Sequence, residues 1–193
     1  MNEREVVDIF EGADALLEGH FKLSSGLHSD RYLQCALVLQ HPKTAEKLCG
    51  SLASRWANDG VDVVVGPAVG GIIVAHEIAR ALGVRCVFME RSDGRMTLRR
   101  SFSIAPKERV LLAEDVVTTG GSVNEIIAQL EAAGAEVVGV AALVDRSGGR
   151  PFGDRRFERL LVLTPKQFEP CDCPLCKDGV PIETPGSRGK REE

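Results

Sequence analysis

Short runs of apolar residues alternate along the middle of this chain with longer segments whose apolar residues recur every three to four positions. The runs Val61–Val65, Val84–Met89, Arg109–Ala113, Glu136–Val144 and Leu160–Leu163 read as strands. Helices are predicted from Pro42 to about Asn58, over Ile72–Leu82 with Gly83 as a stop, and over Ser122–Ala133. Strands without an exposed polar face, alternating with helices, predict an α/β fold: a mainly parallel twisted sheet flanked by helices. Upstream, Val6, Val7, Ile9, Phe10, Ala13, Leu16 and Leu17 fall at helical spacing and predict one helix over residues 4–18. Residues 20–40 mix Ser and Gly with short apolar alternation and predict loops and short strands. Arg91–Ser103 is a polar, basic excursion between two strands, and Pro185–Glu193 is polar and expected to fray.

Composition narrows the class. The chain has 193 residues, 44% of them hydrophobic and 27% charged, with a net charge of −4. That is one ordinary globular domain, or one plus a small appendage. An acidic balance argues against nucleic acid as the main partner. No uncharged apolar stretch reaches about 18 residues, so no membrane span is expected. The N-terminal residues Met1–Glu5 lack a signal peptide's apolar core. Cys35, Cys49 and Cys86 lie in apolar surroundings and read as buried thiols, so a cytoplasmic, disulfide-free protein is expected.

Candidate chemistry concentrates at residues 110–122. An apolar strand there reaches two adjacent carboxylates, Glu114 and Asp115. Val116 and Val117 follow, and Thr118, Thr119, Gly120, Gly121 and Ser122 form a turn that opens a helix. Backbone N–H groups, hydroxyls and a helix N-terminus in one turn suit a phosphate dianion. Two acids beside a phosphate need another partner: vicinal hydroxyls, or a cation. A phosphorylated sugar with a divalent metal meets all of these demands.

The run resembles the 5-phosphoribosyl-1-pyrophosphate (PRPP) signature of the type I phosphoribosyltransferases at every position. The resemblance implies that Glu114 and Asp115 hold the ribose hydroxyls and that Thr118 to Ser122 cradle the 5′-phosphate. It implies Mg²⁺ as cofactor, carried by PRPP with Asp115 as a potential protein ligand. The turn at 66–71, with Ala68, Val69 and Gly70, resembles the family's pyrophosphate loop. The excursion with Arg91, Arg95, Arg99 and Arg100 falls where that family has a mobile loop closing over PRPP. Cations there would meet the charge on departing pyrophosphate. By this resemblance Arg91 joins Glu114 and Asp115 as a catalytic candidate, and loop 91–103 reaches the neighbouring site of a homodimer. A solvated basic hairpin is the alternative reading of the same residues.

Residues 21–32 resemble the N-terminal hood of orotate phosphoribosyltransferases through Phe21, Leu23, Ser25, Gly26, Ser29 and Tyr32. Residues 143–149 resemble the strand end of that family, whose Arg reads the pyrimidine. The implied orotate contacts are Ser24, Ser25, Gly26, Tyr32, Thr118 and Arg146. The chain then divides into a helix and hood at 1–40, a PRPP-binding core at 41–165 and a Cys-containing tail at 166–193. Two positions depart from the family: Ser24 and Gly70 stand where many orotate enzymes carry Lys. The loop offers arginines, which cannot act as general acids at neutral pH, so His20 and His28 stand as candidate proton donors. The implied activity is phosphoribosyl transfer to orotate. Transfer to another base, or a non-catalytic nucleotide sensor on the same fold, are the alternatives.

Cys171, Cys173 and Cys176 lie outside that resemblance. Three clustered thiols look like half of a zinc knuckle. A fourth ligand would have to come from Asp172, Asp178, a distant Cys or a partner chain. The count falls one short, and a reduced, metal-free tail is the expectation.

Overall fold

The computed structural model describes residues 1–23 and 25–185. The expected contact at Ser24 and the expected fraying of residues 186–193 lie outside the described residues. The chain begins with α1 (Glu3–Glu11), closed at its start by a capping box between Asn2 and Glu5. It continues through β1 (Leu16–Lys22), β2 (His28–Leu33), α2 (Cys35–Leu39) and α3 (Pro42–Ala53), then β3 (Val63–Pro67) and α4 (Gly70–Leu82). The hairpin β4 (Arg85–Ser92) and β5 (Arg95–Leu98) follows. Next come β6 (Arg109–Val117), α5 (Gly121–Ala132), β7 (Glu136–Asp145) and β8 (Phe157–Val162). The tail adds β9 (Gln167–Phe168) and α6 (Pro174–Lys177).

Six strands form the main sheet in the order β5-β4-β3-β6-β7-β8, all parallel except the antiparallel edge strand β5. The mainly parallel α/β architecture is therefore present. Alternation along the strands divides the core between two faces. On β6, Leu111 and Ala113 join Phe10, Leu48, Leu52, Trp56 and Ile78 under α1, α3 and α4. Val110 and Leu112 face Val63, Val65, Ile126, Leu130 and Val140 under α5. Among the described residues no helix is long and apolar enough to cross a membrane.

Several boundaries differ from the sequence reading. The helix expected over 4–18 stops at Glu11, and Leu16 and Leu17 belong to β1. Asp14 turns the chain at φ 52° between them. The apolar residues on either side happen to continue one helical phase, so spacing alone hides the break. The run 35–39 is a short helix in a region read as loops and strands. β6 does not end at Ala113; it carries Glu114 and Asp115 within the strand and runs to Val117. A second, three-stranded antiparallel sheet, β1-β2-β9, forms the hood, and its third strand comes from the tail.

Candidate active site

From β3, α4 leads outward to β4; from the adjacent β6, α5 leads outward to β7 on the opposite side. The winding direction reverses between β3 and β6, so a crevice opens beyond their carboxyl ends, the standard place for a ligand in such sheets. Both glycine-rich turns of the sequence lie there. β3 and β6 pair only over Val63–Val65 and Val110–Leu112; β6 continues past this ladder and projects Glu114 and Asp115 beside the start of α4.

The two turns touch through the acid pair. A Cβ on Gly70 would overlap the Asp115 carboxylate, and one on Gly71 would lie 2.9 Å from Glu114 Oε1 and 2.8 Å from Pro67 Cδ. Bare backbone is what lets the loop lie against the carboxylates. Gly70, where the resemblance leads one to expect Lys, is thus the residue packed on Asp115. The connection is tighter than the turn read at 66–71: β3 includes Gly66 and Pro67, α4 begins at Gly70, and the Ala68–Val69 peptide between them is cis. Val69 is 82% exposed on this loop.

Glu114 is mostly buried, and its carboxyl is pushed up to about 9. Burial is the main cause, followed by the hydrogen bond and the charge of Asp115. Two adjacent carboxylates in a half-buried crevice hold one proton between them unless hydroxyl donors or a cation displace it. Asp115 Oδ1 accepts from the Val116 N–H at 2.9 Å, which fixes its orientation. The Cys35 Sγ lies 4.0 Å from the Asp115 carbonyl oxygen, and burial together with the two acids pushes its thiol well above the usual range. Cys35 is therefore an inert neutral group under the acid pair.

Beyond β6, Gly120 caps α5 at φ 75°, and Thr118, Thr119, Gly121 and Ser122 are exposed around a cleft that Glu114, Val116, Val117 and Val123 also line. The first N–H groups of α5 open toward that cleft without intrahelical partners. The turn thus offers hydroxyls and amide donors together, as an anion site requires.

Arg146 follows β7 at the same end of the sheet, its N–H donating to the Val117 carbonyl at 2.7 Å. Among the described residues its side-chain Nε is buried without a hydrogen-bond partner. Burial also lowers the guanidinium from its ordinary value. A cation held partly out of water with an unused donor is prepared for an anionic or carbonyl partner.

Residues 38–173 match the phosphoribosyl transferase domain family. The chain is 55% identical over 188 residues to orotate phosphoribosyltransferase of Desulforamulus reducens, covering 97% of this chain and 98% of that protein. It is 56% identical over 188 residues to orotate phosphoribosyltransferase of Pelotomaculum thermopropionicum, covering 97% and 99%. The chain belongs to the orotate phosphoribosyltransferase family. The crystal structure of orotate phosphoribosyltransferase from Aeropyrum pernix superposes with a TM-score of 0.68 at 25% identity, covering 82% of this chain and 93% of that one. The type I phosphoribosyltransferase fold read from the sequence is thereby established.

Other site candidates of this family member lie further out. The basic excursion is an edge hairpin closed by Asp93-Gly94, with φ of 49° and 80°. Its arginines are engaged within the chain. Arg91 pairs with Glu125 of α5 at 3.0 Å, and Arg99 and Arg100 approach Glu90 at 3.7 and 3.3 Å. Glu125 also accepts the Met96 N–H at 2.7 Å; that bond, then Arg91 and Arg95, hold its carboxyl below its ordinary value against the opposing effect of desolvation. Glu125 went unnoticed in the sequence, where only its place in the first turns of a helix near a basic hairpin hinted at it. In the hood, Ser25 and Gly26 form the turn between β1 and β2, with Gly26 at φ 90°, and Tyr32 leans on Phe21 at 5.8 Å between ring centroids.

The histidines do not match their expected role as proton donors. His20 and His28 are 2% and 7% exposed, and their ring nitrogens face each other and the sulfurs of Cys173 and Cys176. Cys171, counted with those thiols in the sequence, is not among this group.

Proposed function

We propose that this chain transfers the 5-phosphoribosyl group from PRPP to orotate, giving orotidine 5′-monophosphate and pyrophosphate, a step of pyrimidine biosynthesis. One observation carries the reading: the Glu114–Asp115 pair and the phosphate-type turn at 118–122 meet the Gly70–Gly71 loop in a single crevice at the sheet's switch point. Its support is 55% and 56% identity over 97% of the chain to proteins named for this activity.

The residues divide the substrate among them. Glu114 and Asp115 accept hydrogen bonds from the ribose hydroxyls, whose arrival displaces the proton on Glu114. The 118–122 turn, including Gly120 and Gly121, binds the 5′-phosphate through Thr118, Thr119 and Ser122 and the amides of α5. Ala68, Val69 and Gly70 border the pyrophosphate. Arg91, Arg95 and Arg99 meet its charge when the hairpin closes, with Arg91 and Arg99 exchanging their contacts to Glu125 and Glu90 for phosphate oxygens. Arg146 pairs with the carboxylate or a ring carbonyl of orotate, beside Ser25, Gly26 and Tyr32. The ring nitrogen of orotate bonds to the anomeric carbon as the bond to pyrophosphate breaks, and the nitrogen's proton leaves to solvent. With no general acid required, rate comes from positioning and from electrostatics at the leaving group.

Hard carboxylate oxygens at Asp115 suit Mg²⁺. When bound with PRPP, the ion would neutralise pyrophosphate charge. The active unit is a homodimer and the location cytoplasmic. The test is the loss of orotate absorbance on mixing the purified chain with PRPP and Mg²⁺. Consumption should require all three. At least tenfold better use of uracil, hypoxanthine or adenine would overturn the choice of base.

A further inference from the structure

The tail meets the hood at a cluster that phosphoribosyl transfer does not use. His20 lies on β1 within the bulge where the β1–β2 register shifts between Glu18 and Phe21. His28 opens β2. Cys173 and Cys176 sit at the start of and within α6, about 150 residues away in the chain. One donor atom from each residue lies within 4.8 Å of every other. His20 Nε2 is 2.9 Å from His28 Nδ1, 3.5 Å from Cys173 Sγ and 3.7 Å from Cys176 Sγ; His28 Nδ1 is 3.3 Å from Cys176 Sγ. A tetrahedral zinc with bonds of about 2.3 Å to sulfur and about 2.0–2.1 Å to nitrogen has edges of about 3.3 to 3.8 Å between its ligands. The three nitrogen–sulfur separations, 3.3 to 3.7 Å, match those edges, and the nitrogen–nitrogen separation of 2.9 Å is shorter, so the imidazoles part slightly as the ion enters.

Hydrogen positions sharpen the reading. His20 Nδ1 lies 2.8 Å from the Val180 carbonyl oxygen, which can only accept, so Nδ1 carries the proton and donates. Its Nε2 therefore presents a lone pair to the cluster. An imidazole oriented by a backbone carbonyl, with its other nitrogen bare, is the arrangement that metal-bound histidines show. Within the cluster, one imidazole N–H and two weak thiol donors remain to satisfy four atoms. Three of the four residues are shut away from water: His20, His28 and Cys173 are 2%, 7% and 1% exposed. One cation satisfies all four donor atoms at once, and a mixed thiolate and imidazole set in tetrahedral array selects zinc.

We propose that His20, His28, Cys173 and Cys176 bind one structural Zn²⁺ that pins the C-terminal tail to the hood. The ligand missing from the sequence count is supplied twice over by the hood, and Cys171 is not needed. Four protein ligands close the coordination shell, so the ion holds structure and carries no substrate. The backbone is arranged to the same end. Glu183 bonds to β1 on either side of Phe21, its N–H donating to the His20 carbonyl at 2.8 Å and its carbonyl accepting from the Lys22 N–H at 2.9 Å. β9 pairs with His28 and Ser29. The ion would clamp the hairpin at both feet of the turn holding Ser25 and Gly26. On the proposed reading of that turn as a base contact, the clamp keeps the orotate subsite in register.

The test uses the full chain purified without chelator and without added metal. Elemental analysis should find about one zinc per chain. Cys171→Ser should keep it; Cys173→Ser and Cys176→Ser should bind close to none and expose the tail to protease at a lower protease dose. Should the ligand variants fail to fold, the wild-type chain answers alone. Mercurial modification of its thiols should release zinc to a chromogenic chelator, and Co²⁺ in place of zinc should show tetrahedral d–d bands with sulfur charge transfer. Folded wild-type protein that stays zinc-free after dialysis against zinc, and shows no such bands with Co²⁺, overturns the proposal. So does loss of zinc in Cys171→Ser as complete as in Cys173→Ser. Zinc stoichiometry is read apart from turnover, so zinc without orotate use counts against the proposed activity alone.

Discussion

At the scale of single residues, the site depends on a conflict: two carboxylates share a crevice too dry for both charges. Glu114 carries the proton, with its carboxyl pushed up to about 9. Between the ordinary carboxylate range and that value the folded chain binds a proton that the unfolded chain has lost, so stability falls as pH rises through this window. The slope contributed is at most about 1.4 kcal/mol per pH unit. Glu114→Gln removes the titration. Thermal unfolding of both proteins in a chelator, from pH 5 to 9, should show the variant gaining on wild type as pH increases; parallel curves would count against a shared proton. Arg146 presents the opposite case, a cation with an unused buried donor. Arg146→Ala should weaken orotate use by roughly ten- to a hundredfold, as expected for a charge-assisted contact worth about 1.5–3 kcal/mol. PRPP affinity, measured by calorimetry, should change far less; equal loss for both substrates would indicate general destabilisation. The closeness of Glu114, Asp115 and the 118–122 turn was legible in the sequence because it is local, all within thirteen positions. The shift at Glu114 was not, since it arises from burial against Gly71 of another turn.

At the scale of elements, β3, β4, β6 and β7 were readable as short apolar runs between turn signals, and α3 to α5 by apolar residues at helical spacing. Elements held by partners rather than by periodicity were not. α2 is five residues of unbroken apolar chain, and β5 gains its second partner from Glu125, which accepts the Met96 N–H. The quartet of His20, His28, Cys173 and Cys176 escaped for the same reason: its two halves lie at opposite ends of the chain, and no local pattern joins them. The hairpin's attachment to α5 is modest, since it rests on two contacts of one partly exposed carboxylate, the Arg91 ion pair and the bond from the Met96 N–H. Glu125→Gln should therefore leave the melting temperature nearly unchanged yet speed amide exchange over residues 93–98. Saturating PRPP with Mg²⁺ should slow that exchange in both proteins. A hairpin that exchanges no faster in the variant would show that Glu125 does not hold it, and one that PRPP leaves untouched would not be the closing element.

At the scale of the whole molecule, the hairpin occupies one edge of the sheet, with β5 outermost. An edge strand beside a site is positioned to close over its own crevice or over that of a second copy. Leu37 of α2 and Ile73 of α4 are large apolar side chains 36% and 44% exposed on helices that pack together, surface that the proposed homodimer has available to bury. In a homodimer, a closing loop gains a rigid surface to close against. Two inactive chains decide the question when mixed and allowed to exchange subunits. One carries Asp115→Asn, which keeps the shape of the acid pair and removes its charge. The other carries Ala at Arg91, Arg95, Arg99 and Arg100. If the arginines act across the interface, a heterodimer collects both defects in one site and leaves the other whole, so activity should return to roughly half of wild type per heterodimer. If the arginines serve their own chain, each site keeps one defect and no activity returns. Labelled subunits shown to exchange, with turnover still absent, would place the hairpin's action within its own chain.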